Sequence, residues 1–147
     1  MLPVAVVSET QWNARVAAIA ELGDRLGFAL HEEFIPLGGG SSIEIDGINR
    51  EHRFLCRAFM HIGKVQASQV EEVASDILKL LLVERVLHGK WRKAICFADD
   101  SAARLLRSHS NWLGAAARAT KLEGFVVHLP AEIRSALLRE QAHAQGL

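Results

Sequence analysis

The chain has 147 residues, half of them hydrophobic and 23% charged, with 17 basic residues against 17 acidic ones. That balance fits one folded domain with a real core and excludes an intrinsically disordered chain. A formal net charge of zero argues against a protein that coats nucleic acid by bulk electrostatics, and leaves room only for a local basic groove.

Taken in chain order, residues 1–12 lack a basic n-region and a long apolar run, so no signal peptide is expected. Ser8 followed by Glu9 reads as a helix N-cap with an acidic first turn. Helical spacing then runs through Trp12, Val16, Ile19 and Ala20 toward Phe28. "HEEFIPL" (31–37) fits either a last helical turn or an extended piece, and "LGGGSS" (37–42) is a loop. "SIEIDGIN" (42–49) and "HRFLCRAFMH" (52–61) both alternate and read as a β-hairpin that turns at Asp46-Gly47 or just after. In its second strand Phe54, Cys56, Ala58 and Met60 fall on one face and Leu55, Arg57 and Phe59 on the other.

The strongest helical pattern follows, over 66–89, with Val70, Val73, Ile77, Leu80, Leu81 and Leu87 in register and Gly89 at its end. "RKAICFADD" (92–100) reads as a buried strand. Ser101 then opens a helix to about Thr120, with Trp112 on its apolar face. "EGFVVHLP" (123–130) is a further strand, and Pro130 starts a last helix. The predicted order is αββαβαβα. It implies an α/β fold: a small mixed β-sheet flanked by helices, hairpin first and parallel crossovers after. The longest apolar run, 78–83, is too short to cross a membrane, so a cytoplasmic protein with no membrane partner is expected. Cys56 and Cys96, the only cysteines, sit in apolar runs without a CxxC pair and read as buried thiols.

Chemistry is best looked for around the hairpin. Glu44 and Asp46 are two apart on a strand, so their carboxylates share a face. Glu72, Asp76, Lys79 and Val83 form one stripe of the following helix. Carboxylates from a hairpin with an acid and a lysine from a helix suit a magnesium site for phosphodiester chemistry; a solvated strand face beside an amphipathic helix fits the same spacing. "LGGGSS" lacks the lysine of a phosphate-binding loop, and no GxSxG occurs. His61 lies beside Lys64 in "HIGK", where it reaches phosphate or serves only the loop. Asp99 and Asp100 stand at a strand's carboxyl end and suit a helix N-terminus as well as a ligand.

From Ile43 to about Gln145 the chain resembles the restriction-endonuclease-like, or PD-(D/E)xK, superfamily, in particular a small bacterial branch. The resemblance lies in "IEIDGI", "FMHIGKV", "SDILKLLLVERVL", "WRKAICFADD", "SNWLGAAAR" and "VVHLPAEIR". It implies a restriction-endonuclease-like core in which Asp46 matches the first-strand aspartate. Gln69, and Asp76 with Lys79, match polar helix positions. The superfamily's second-strand glutamate falls at Arg57 and its third position at Phe59; shifted by one, it falls at Cys56. The branch has a lysine where this chain has Glu72, so two positions carry the opposite charge.

A permanent guanidinium cannot serve a magnesium ion, which needs carboxylate oxygens, and Arg57 is expected to pair with Asp46 or Glu72 instead. Two readings result. In the first, the site is altered, holds no metal, and the protein is a nucleic-acid-associated or protein-interaction component, a homo-oligomer included. In the second, Asp46, Glu44 and Glu33 hold Mg²⁺ or Mn²⁺, with Glu32 a further acid in reach. Lys64 or Lys79 then stabilises the transition state of phosphodiester hydrolysis.

Overall fold

The computed structural model describes residues 7–145; the first six residues, on which the absence of a signal peptide was read, lie outside them. Among the described residues there are five helices and five strands: α1 (Glu9–Leu26), β1 (His31–Gly38), β2 (Ser41–Asn49), β3 (Phe54–Phe59), α2 (Ala67–Leu87), β4 (Arg92–Phe97), α3 (Asp100–Arg107), α4 (Trp112–Thr120), β5 (Glu123–Val126) and α5 (Ala131–Ala144). The strands form one mixed sheet in the order β1-β2-β3-β4-β5. The first three run antiparallel, and β3, β4 and β5 run parallel. The expected α/β class with a mixed sheet holds.

Two elements differ from the sequence reading. The ambiguous stretch after α1 is a strand, β1, paired with β2 through a register broken by two irregularities. The single helix expected over 101–120 is two. Its middle, "SHSN", competes for its own backbone: Ser108 Oγ accepts from Ser110 N–H, and Asn111 Oδ1 caps α4 by accepting from Gly114 N–H. Arg118 Nη1 then holds the Ser108 carbonyl. Gly114 lies so close that an added Cβ would stand 1.9 Å from that carbonyl oxygen, so the second helix can pack there only as glycine.

The alternation of the second hairpin strand is as read, whereas Asp46-Gly47, where the hairpin was expected to turn, stay within β2 because Gly47 still pairs with Cys56, and the turn falls at 50–53. Leu55 and Phe59 join Ile43, Ile45, Val73, Ile77 and Leu80 in the core under α2, with α3 and α4 on the same face. Phe54, Cys56, Ala58 and Met60 face the other way, toward α1 and Leu137 of α5. The inward face of α1 is not the one its bulky residues suggested. Ala14, Ala18, Ile19 and Leu22 are buried, whereas Trp12 and Val16 are 44% and 52% exposed. Small residues win because the helix lies close on the sheet: an added Cβ at Gly47 would meet Cys56 Sγ at 2.7 Å and Ile19 at 3.3 Å. Trp112, likewise expected on an apolar face, is 64% exposed because α4 starts with it at an open corner, next to the Asn111 cap. Among the described residues no helix is long and apolar enough to cross a membrane.

Candidate functional site

The site lies where the sheet opens. β2 and β3 pair only at Gly47–Cys56, Ile48–Leu55 and Asn49–Phe54. Beyond Gly47 the two strands part, while β3 stays zipped to β4 as far as Phe59–Phe97. The ladder bonds lost on the β2 side are replaced by side chains. Asp46 Oδ2 accepts from the Ala58 backbone N–H at 2.7 Å, and Arg57 Nη1 donates to the Glu44 carbonyl. Each side chain therefore satisfies a backbone group that the parting strands would have left bare.

The same two side chains meet charge from both faces of the sheet. Arg57 Nε donates to Asp76 Oδ1 of α2 at 3.0 Å and lies 3.9 Å from Asp46 Oδ2. From the other side Arg15 of α1 brings its Nη1 to 3.9 Å from Asp46 Oδ1. Asp46 and Asp76 are buried, so two carboxylates and parts of two guanidiniums share a poorly hydrated space. Burial pushes the Asp76 carboxyl up to about 6, against the pull of Arg57 and with a further push from Asp46. Arg57 is pulled down by its own burial, but Asp76 and Asp46 outweigh that and hold it firmly charged. On the outer side of Asp46, Glu32 is also pushed up, first by partial burial and then by Glu44 and Asp46.

A cleft of about 280 Å³ opens over this centre between α1 and α2; Arg57, Gln69, Glu72, Asp76 and Lys79 all line it, with Arg15 opposite. Five of the residues singled out from the sequence are thus brought together, and Asp46 backs them. Others are not. Lys64 is exposed and off the cleft wall. Glu72 makes no ion pair with Arg57; its place is taken by Asp76, one turn further along α2, on the side that buries Val73 and Ile77. Glu44 offers Arg57 its carbonyl rather than its carboxylate. Glu33 stands opposite Ile45 in the β1–β2 register, hence on the α2 face, where it pairs with Arg50 and His31. Asp46, Glu44 and Glu33 therefore do not converge, and among the described residues no three His, Cys, Asp or Glu side chains are grouped to hold one ion.

These residues do not fit a magnesium ion. Octahedral coordination at about 2.0–2.1 Å needs several oxygens free to turn toward one point. Here one Asp46 oxygen is engaged by a backbone N–H, one Asp76 oxygen by a guanidinium, and Arg57 fills the space between. The thiols offer no substitute: Cys56 and Cys96 are free and buried, and burial pushes Cys96 up to about 12 and Cys56 well above its ordinary value.

Sequence reasoning missed the α1 and α5 side of the cleft. Gln141 of α5 brackets Ile62, accepting from its N–H and donating to its carbonyl at 2.9 Å each. Gln11 donates to the Met60 carbonyl, and Asp99 accepts from Gly63 N–H at 2.9 Å. Three elements thereby fix the segment from β3 into the cleft rim. Asp99 is held below the usual carboxylate range: burial works against this, and the Gly63 and Ser101 hydrogen bonds outweigh it. The one available hint was that Gln11 and Arg15, four apart, share a side of α1. Comparison with protein-family models, with curated proteins and with solved structures gives no match.

Proposed function

We propose that this chain is a restriction-endonuclease-like protein whose ion position has been taken over by an arginine, and that it acts as a non-hydrolysing, nucleic-acid-associated component. One observation carries this reading: the Arg57 guanidinium lies between Asp46 and Asp76 and is tied at its other end to the Glu44 carbonyl. The order of the hairpin, α2 and the parallel strands β4 and β5 is compatible with the resemblance in "IEIDGI" and "SDILKLLLVERVL". In that frame Asp46 holds the aspartate position and Arg57 the glutamate position. A cation that never deprotonates there leaves no room for a divalent ion, so the hydrolytic reading through Asp46, Glu44 and Glu33 loses its metal. What the cleft retains is a fixed set of charged and amide groups, suited to binding.

The test is cleavage. Purified protein incubated with duplex DNA, single-stranded DNA and RNA in Mg²⁺ or Mn²⁺ is expected to leave all of them intact. Cleavage that disappears with Asp46→Ala would overturn the reading and restore a metal-dependent nuclease.

A further inference from the structure

The opposite end of the parallel strands carries a second feature. The β2–β3 turn (50–53), the loop from α2 into β4 (88–91) and the turn from α4 into β5 (121–122) meet there around an open groove of about 700 Å³. Five cations line it, Arg53, Lys90, Arg92, Lys93 and Lys121, against two acids, Glu84 and Glu123. Both acids are spent. Glu123 takes a two-pronged contact from Arg92 at 2.9 and 3.0 Å, and Glu84 holds Lys93 at 2.9 Å. Arg53, Lys90 and Lys121 make no ion pair among the described residues. The nearest other acid in sequence is the exposed Glu51 of the same turn. A chain of zero net charge thus gathers an uncompensated excess of three positive charges on one concave surface.

The surface is built. Arg53 donates from Nε to the Lys90 carbonyl at 2.9 Å and from Nη2 to the His88 carbonyl at 2.7 Å, with its guanidinium 5.2 Å from the Trp91 ring centroid. The left-handed non-glycine residues of the described chain, Arg53 (φ 51°), His88 (φ 65°) and Lys121 (φ 56°), all belong to these three turns. Glycine would adopt that backbone without strain, yet two of the three positions carry basic side chains.

We propose that this groove binds the phosphate backbone of a nucleic acid. The partner class rests on the reading of the previous subsection; the location does not. The chemistry favours phosphate over an acidic protein. A guanidinium fork suits carboxylate and phosphate alike, and both forks here are occupied, Arg53 by carbonyls and Arg92 by Glu123. What remains is charge on flexible lysine stems, which suits a repeating phosphodiester. A lipid surface is disfavoured because none of the large exposed apolar side chains lines the groove.

The experiment is fluorescence anisotropy of a short labelled DNA duplex across a salt series, with native protein, the Lys90→Gln/Lys121→Gln double variant and Lys79→Gln of the cleft. Both groove lysines are exposed, and glutamine keeps their backbone conformations, so circular dichroism should be unchanged. Native protein is expected to bind weakly, with log affinity falling against log salt at a slope of about −1.8 for two lysine–phosphate contacts, and the double variant is expected to lose nearly all of that salt-dependent binding. Binding that survives the double substitution and is lost with Lys79→Gln overturns the groove while leaving nucleic-acid association standing. Absence of binding to duplex DNA and to single-stranded RNA at low salt overturns both. Tighter binding of polyglutamate or of anionic vesicles than of the duplex also overturns the proposal.

Discussion

Two cations sit on neighbouring strands of this sheet, the partly buried Arg57 on β3 and the buried Lys93 on β4, and each meets an acid from α2. The resemblance ends there. Lys93 faces one carboxylate, Glu84, which also accepts the Trp91 N–H at 2.9 Å and keeps some contact with water. Burial raises Glu84, but Lys93 and the Trp91 N–H outweigh it and hold the carboxyl below its usual range. Arg57 faces two carboxylates, both buried, and the closer one is pushed up to about 6. One pair is matched charge for charge and braces a strand. The other joins two buried carboxylates to Arg57 and, at 3.9 Å, to Arg15 from the opposite face, beside a cleft, the arrangement expected of a functional site rather than a brace.

The largest expected effect comes from removing each cation. Arg57→Met leaves Asp76 without its ion-pair partner and Asp46 with only the distant Arg15, and should cost about 3–5 kcal/mol in urea unfolding at neutral pH. A loss no greater than that of the Lys93 variant would erase the distinction between the two centres. The pH dependence should separate them next, and with opposite sign. The folded state holds the Asp76 proton more tightly than the unfolded chain does. Its contribution to stability is therefore complete below the unfolded value of 3.8 and is lost as pH rises through about 6. That loss is on the order of 3 kcal/mol for a shift of this size, and Asp76→Asn should abolish it. Glu84, held low, contributes stability that is present above the ordinary value of 4.5 and is lost as pH falls below it; Glu84→Gln should remove that acid-side loss. Unfolding curves at a series of pH values read both.

Smaller effects sharpen the picture. Lys93→Met should cost about 1–3 kcal/mol, because Glu84 keeps the Trp91 N–H and some solvent. Arg15→Met should cost no more than about 1 kcal/mol. Its approach to Asp46 is a long 3.9 Å, its Nε is buried without a hydrogen-bond partner, and apolar packing of the stem is kept. An Arg15 effect as large as that of Arg57 would make Asp46, rather than Arg57, the centre of the site.

Much of this architecture was legible in the sequence wherever one period governed one element. The alternation of "RFLCRAF" sorts residues between the two faces as observed, and the α2 spacing gives its buried side. The face of α1 was not legible, since periodicity weighs bulk and the close approach to β3 selects Ala14 and Ala18 instead. The break at "SHSN" depends on side-chain bonds to local backbone, which propensity underrates. At the site, an arginine inside an apolar strand was a clear signal of something unusual. Its partner was not: Asp76 and Glu72 lie on the same helical stripe, and only the packing of α2 on the sheet decides between them. Arg15, Gln11 and Gln141 reach the cleft by tertiary contact alone and leave almost no trace in spacing.

The most direct test of the central claim is calorimetric titration of the native protein with Mn²⁺ and Mg²⁺, run beside Asp46→Ala. With Arg57 in the ion's position, as proposed, no saturable binding is expected up to millimolar ion. Saturable binding by the native protein that Asp46→Ala abolishes would mean that Arg57 yields its place to a metal, and would contradict the account.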